Sequence, residues 1–229
     1  LKRKKIERLF FLKQRRKLSK LAFKENICLI KRVACNKVED RKMARIGIMG
    51  GTFNPIHNGH IRLADTAYKE LSLDKIWFMP SKIPPHKDNS TIVDEKHRVN
   101  MINLAISDYN YFELSELELK RKGTTYTSQT LEYLNDTYPN DDFFFIVGAD
   151  SIFSIESWNR PYVLFKLAHF IVACRDDIDY KQLEEQCRYL QTKYVAKISI
   201  IHMEKMDISS SYIRQMYCNK NKLDDFNYY

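Results

Sequence analysis

Residues Ile46 to Arg62, IGIMGGTFNPIHNGHIR, restrict the fold more than any other stretch of this chain. Ile46–Met49 is a short apolar run of the length of a buried strand. Gly50 and Gly51 break it, Pro55 marks an irregular loop, and a helix is expected from about His60 to Leu71. A strand, a glycine turn and a helix in that order aim backbone N–H groups and the positive end of the helix dipole at one point. That point suits an anion such as phosphate. Lys75–Met79 (KIWFM) reads as a second buried strand, so the segment is a β-α-β unit, whose crossover implies a parallel pair.

His57 and His60 stand at the mouth of that helix with Asn58 and Gly59 between them. A single histidine there reads most simply as a cap or a satisfied core group. Two at this spacing, behind a double glycine, point to phosphate chemistry. GGTFNPIHNGH resembles the signature of the nucleotidylyltransferase superfamily, with His57-Asn58-Gly59-His60 as its HxGH element. Asn54 stands where the commoner form of the loop has Asp. The resemblance implies that Gly50, Gly51, Thr52, Phe53, His57 and His60 meet ATP and its phosphates, with the two histidines catalytic.

The formal charge of +9 would fit a nucleic-acid or membrane partner, but it is unevenly placed. Residues 1–42 carry 16 Lys and Arg against 4 Asp and Glu, a net of +12, and residues 43–229 carry a net of −3. The leader's longest early apolar run, Leu9 to Leu12, is far short of the roughly 20 residues of a spanning helix. It has one serine, Ser19, against the serine-rich habit of targeting peptides, and no aromatic interleaving for base stacking. Residues 1–42 are therefore expected to be a dispensable extension, with Met43 as the working start. Nucleic acid and membrane are not expected as partners. The five cysteines form no CxxC pair and no zinc spacing, which fits reduced thiols in a cytoplasmic protein.

Four later segments carry chemistry. Pro84-Pro85-His86-Lys87 follows the second strand, and its two prolines limit the directions of the next side chains. It reads equally as a surface loop or as a phosphate-facing pair. PPHK at this place resembles nicotinate mononucleotide adenylyltransferases, which implies that Lys87 grips the triphosphate. A helix from about Asp94 to Ile106 follows, with Glu95-Lys96-His97-Arg98 as a solvated first turn; Tyr111 to Leu119 alternates like an edge strand. Arg121-Lys122-Gly123-Thr124-Thr125-Tyr126-Thr127 opens a helix to about Tyr138, and its hydroxyls suit an N-cap. The segment also resembles the RxGxSYT motif, with Thr125 in place of Ser, which implies nicotinate contacts at Thr125, Tyr126 and Thr127.

Phe143–Val147 (FFFIV) is the most apolar strand. Asp150 after it caps a helix or meets ribose hydroxyls, and Trp158 is a core residue or presents its face to an aromatic ligand. GADSIFSIESW resembles the family's GxD…W segment, so Gly148, Asp150 and Trp158 are implied at the mononucleotide. Phe170–Cys174 and Ile198–His202 are further strands, with a polar helix from Asp179 to about Thr192 between them. In Asp207 to Arg214 (DISSSYIR) three hydroxyls cap a last helix or, with Arg214, make a second anion site. This stretch resembles the family's ISSTxIR element, with Ser209, Ser210 and Arg214 implied at the phosphates.

The expectation is thus α/β: one Rossmann-like, doubly wound, mostly parallel sheet of five or six strands over residues 43–229. What the family implies is adenylyl transfer from ATP to nicotinate mononucleotide, giving nicotinate adenine dinucleotide and pyrophosphate in NAD synthesis. A sibling transferase acting on nicotinamide mononucleotide or phosphopantetheine is the alternative. No carboxylate cluster for a metal is visible, so Mg2+ is expected to be held mainly by substrate phosphates and water. A homo-oligomer is left open by the residues.

Overall fold

The computed structural model describes residues 43–83, 92–175, 179–204 and 206–224. The expectations for residues 1–42, His86 and Lys87 lie outside these. Among the described residues six strands form one sheet: β1 (Arg45–Gly51), β2 (Lys75–Pro80), β3 (Phe112–Leu114), β4 (Asp142–Gly148), β5 (His169–Arg175) and β6 (Ile198–Met203). Their order is β3-β2-β1-β4-β5-β6, and every neighbouring pair is parallel. Between and after them run α1 (Asn58–Glu70), α2 (Glu95–Ile106), α3 (Thr127–Thr137), α4 (Ala149–Ser154), α5 (Pro161–Leu167), α6 (Tyr180–Tyr194) and α7 (Ser210–Asp224). This is the doubly wound α/β order, with its direction reversing between β1 and β4.

The sheet is covered on both faces, which is why its strands read as continuous apolar runs. In β4 the alternation of a strand sends Phe143, Phe145 and Val147 into one core and Phe144 and Ile146 into the other. The first core is closed by Leu131 and Leu134 of α3, Ile152 of α4, Leu164 of α5 and Leu183 and Leu190 of α6. The second is closed by Ile61, Ala64 and Ala67 of α1 and Ile102 and Ile106 of α2. Each fully buried large side chain contributes about 1.5–3 kcal/mol to burial of the core. Gly47 in β1 is required by close approach: a Cβ there would lie 2.4 Å from Ile76 Cδ1.

Three expectations are corrected. The strand expected over Tyr111 to Leu119 stops at Leu114, because the chain turns at 117–120 and buries Glu118 and Leu119 instead of alternating. The first turn of α2 is not all solvated. Asp94 caps it, its Oδ1 accepting the Lys96 N–H at 2.8 Å, but Arg98 is 2% exposed and lies in line with buried Ile102 and Ile106. Asp150 does not cap the helix after β4; Gly148 holds the cap position, and Asp150 sits exposed in the first turn of α4.

Candidate active site

Where the strand order reverses, the carboxyl ends of β1 and β4 lie side by side, and loops diverge to leave a crevice. β1 runs into Thr52-Phe53-Asn54-Pro55. Phe53 takes a left-handed backbone (φ 49°), a conformation that costs a bulky residue on the order of 1–3 kcal/mol. Burial of its ring, 2% exposed and 6.0 Å from the Phe78 ring, offsets that cost. The same ring meets His60 edge-on at 5.1 Å, which fixes the imidazole from one side.

His57 is the N-cap residue of α1. Its backbone N–H donates to His60 Nδ1 at 3.2 Å, and the two rings lie 3.8 Å apart. A nitrogen that accepts carries no hydrogen. The His60 proton is therefore assigned to Nε2, leaving an N–H donor on the ring edge away from His57. Gly59 allows the arrangement, since a Cβ there would stand 3.0 Å from His57 Nδ1 and 3.4 Å from Ile208 Cγ2.

The Ile208 contact brings in the second helix start. Ser210 Oγ donates to the Pro55 carbonyl at 2.8 Å, and Arg214 Nη1 donates to the Asn54 carbonyl at 2.6 Å. Both groups tie α7 to the loop after β1, so the N-termini of α1 and α7 converge. Ser209 caps α7, its Oγ accepting the Tyr212 N–H at 3.1 Å. A cavity of about 160 Å³ lies between them, bordered by His57, His60, Met203, Glu204, Ile208 and Ser209. The Asn54 side chain turns the other way: its Oδ1 accepts the Val93 N–H at 3.2 Å, a task an amide oxygen performs as a carboxylate oxygen would.

Ahead of α3, Thr125 is buried and its hydroxyl donates to Glu118 at 3.2 Å, while Thr130 Oγ1 donates to the same carboxylate at 2.8 Å. The side chain of Thr125 thus holds the segment in place, with half-buried Tyr126 and Thr127 at the start of α3. Ser128 donates to Asn159 Oδ1 at 2.8 Å, joining α3 to the Trp158 loop. Trp158 is partly buried, set edge-to-face with Phe145 at 6.5 Å. Gly148 ends β4 and pairs with Ala173 of β5, two residues beyond the last β1–β4 pair, Met49 and Ile146.

Glu118 and Arg98 are the site-supporting residues that pattern reasoning missed. Arg98 had one signal, its i, i+4, i+8 spacing with Ile102 and Ile106; Glu118 had none before its threonine partners were in place. Burial raises the Glu118 pKa, against the lowering effect of the two hydroxyls and Arg121. A carboxyl with a raised folded pKa stabilises the fold below the ordinary Glu value of about 4.3 and loses that contribution as pH rises through the folded pKa. Glu118→Gln, which cannot ionise, is therefore expected to melt higher than the parent at neutral pH, the gap closing toward pH of about 4. A melting difference that does not vary with pH would count against this.

Among the described residues no group of three or more His, Cys, Asp or Glu side chains is placed to hold a metal ion. Nor is any described helix long and apolar enough to cross a membrane.

Residues 48–216 match the cytidylyltransferase-like family. A probable nicotinate-nucleotide adenylyltransferase of Lachnoclostridium phytofermentans is 44% identical over 173 residues, covering 76% of this chain and 86% of that protein. One of Clostridium botulinum (strain Alaska E43) is 40% identical over 185 residues, 80% of this chain and 91% of the relative. Among solved structures, Plasmodium falciparum nicotinic acid mononucleotide adenylyltransferase complexed with NaAD superimposes with a TM-score of 0.63 at 26% identity, over 75% of this chain and 83% of that one.

Proposed function

This chain belongs to the cytidylyltransferase-like family and, within it, to the nicotinate-nucleotide adenylyltransferases, and from that premise we propose how its residues carry the reaction. The enzyme transfers the adenylyl group of ATP to nicotinate mononucleotide, releasing pyrophosphate and nicotinate adenine dinucleotide, a step of NAD synthesis. The observation that best supports the residue assignment is the convergence of two helix N-termini, α1 and α7, on the loop that follows β1.

The phosphate of the mononucleotide attacks the α-phosphorus of ATP. One P–O bond forms there as the bond to the β-phosphate oxygen breaks, and the electron pair leaves with pyrophosphate. No side chain needs to form a covalent intermediate, so catalysis is positioning and charge stabilisation. His60 donates its Nε2–H to a phosphate oxygen and His57 lies against it. Backbone amides of Gly50, Gly51, Thr52 and Phe53 and the starts of α1 and α7, with Ser209, the backbone N–H of Ser210 and the guanidinium nitrogens of Arg214 not given to Asn54, take the other oxygens. Lys87 joins them in this reading. Thr125, Tyr126, Thr127, Gly148, Asp150 and Trp158 receive the mononucleotide.

The described residues do not make a coordination set for a metal, so none is assigned to one. Mg2+ would arrive with the triphosphate, held by phosphate and water, and its chemistry is charge neutralisation. We place the reaction in the cytoplasm, in keeping with the free thiols of Cys187 and Cys218.

The acceptor is tested by comparing kcat/KM for nicotinate mononucleotide, nicotinamide mononucleotide and phosphopantetheine at saturating ATP. Preference for the first is expected. Equal or greater turnover with either of the others would move the chain to a sibling activity.

A further inference from the structure

Among the described residues Arg98 is the largest side chain that is completely buried. Such a cation is costly to desolvate unless its donors are met, and here burial lowers its pKa while Glu95 and Asp94 raise it. Its donors meet main-chain carbonyls from three separate segments: Nη1 donates to Thr52 at 2.8 Å and to Ser81 at 2.9 Å, and Nε donates to Val93 at 3.2 Å. Thr52 follows β1, Ser81 follows β2, and Val93 leads into α2. Thr52 and Ser81 therefore leave the sheet at its carboxyl edge, where the crevice is, and Val93 closes the connection from β2 into α2.

The consequence for the loop is geometric. In a trans peptide the C=O and N–H point in opposite directions. With the Thr52 carbonyl drawn onto Arg98, the N–H of Phe53 in the same peptide unit points away from the guanidinium. A second lock acts on the same place, since Ser81 N–H donates to the Gly51 carbonyl at 2.9 Å and Asn54 Oδ1 accepts from Val93. The guanidinium fork is suited to this because it presents donors in fixed, divergent directions, whereas a lysine ammonium sits on a flexible stem and has one nitrogen to share.

We propose that Arg98 is a positioning residue for adenylyl transfer: by gathering the carbonyls of Thr52, Ser81 and Val93 it sets the loop after β1 so that its amides face the triphosphate. The inference rests on the functional reading above. It assigns Arg98 no contact with either substrate, and its effect falls on ATP rather than on the mononucleotide, whose segment is held by Glu118.

The test uses the full chain, Arg98→Lys and Arg98→Met, with melting curves and separate KM values for ATP and nicotinate mononucleotide. Misplacing a catalytic group by about 1 Å costs on the order of 100-fold, so Arg98→Met is expected to lose about thirtyfold or more in kcat/KM for ATP, with KM for the mononucleotide within about threefold of the parent. Arg98→Lys, which keeps a cation but not the fork, is expected to fold and to recover part of the loss, ending about tenfold below the parent. If Arg98→Met does not fold, the lysine variant decides alone. Parental kinetics in a folded variant, or equal weakening toward both substrates, would overturn the proposal. Absence of ATP-dependent turnover in the parent would instead fail the functional reading, and the proposal with it; normal parent turnover with unaffected variants fails the proposal alone.

Discussion

Replacing His60 with alanine is expected to reduce turnover by about 100-fold or more, the scale at which enzymes lose rate when one preorganised donor to a developing charge is removed. The expectation follows from how the ring is held. Its Nδ1 accepts the His57 N–H and its face meets Phe53 edge-on, so Nε2–H is presented in one direction at no cost of reorganisation during the reaction. The fold should lose little, because the same hydrogen bond can be made by water at a half-buried position. Melting curves and turnover of the variant check both halves. A variant that melts far lower while its folded fraction turns over normally would make His60 a cap and nothing more.

Trp158→Ala should raise KM for nicotinate mononucleotide at least tenfold and leave KM for ATP nearly unchanged. Stacking of a pyridine ring on an indole is worth about 0.5–1.5 kcal/mol beyond the area it buries, and loss of that area adds the remainder. ATP is assigned to groups on the loop after β1 and on α7, none of which needs this ring. The indole also packs edge-to-face on Phe145 at the border of one core, so some loss of melting temperature is expected alongside. Behaviour as a core residue alone would be different: the fold would weaken by several kcal/mol and both substrates would suffer together. Equal changes in the two KM values would remove Trp158 from the mononucleotide site.

The parts legible in the sequence are those that depend on local pattern. Ile46–Met49, KIWFM, FFFIV and FIVAC are short apolar runs bounded by polar turns, and all four are parallel strands buried on both faces. Glycines and histidines at the end of the first strand marked the turn from β1 into α1, which we propose as the phosphate loop. What stayed hidden depends on contacts between distant segments. Arg98 sits in a run of charged residues that looks wet, and the carbonyls of Thr52, Ser81 and Val93 help to make its burial tolerable. Glu118 looked like one of the polar positions of an alternating strand, yet Thr125 and Thr130 draw it inside and end the strand early. Ser209, Ser210 and Arg214 read as either capping groups or an anion site. In the structure Ser209 caps α7, while Ser210 and Arg214 dock it on the loop after β1, 155 and 160 residues away in sequence.

The account stands on direct transfer between two bound nucleotides, with no group of the protein carrying the adenylyl moiety. ATP labelled at its α-phosphorus tests this in one experiment. With nicotinate mononucleotide present, the label is predicted to pass into the dinucleotide in one-to-one proportion with released pyrophosphate; with the mononucleotide omitted, no pyrophosphate should form and the protein should remain unlabelled. Pyrophosphate release without acceptor, with label retained on the protein after denaturation, would contradict the account.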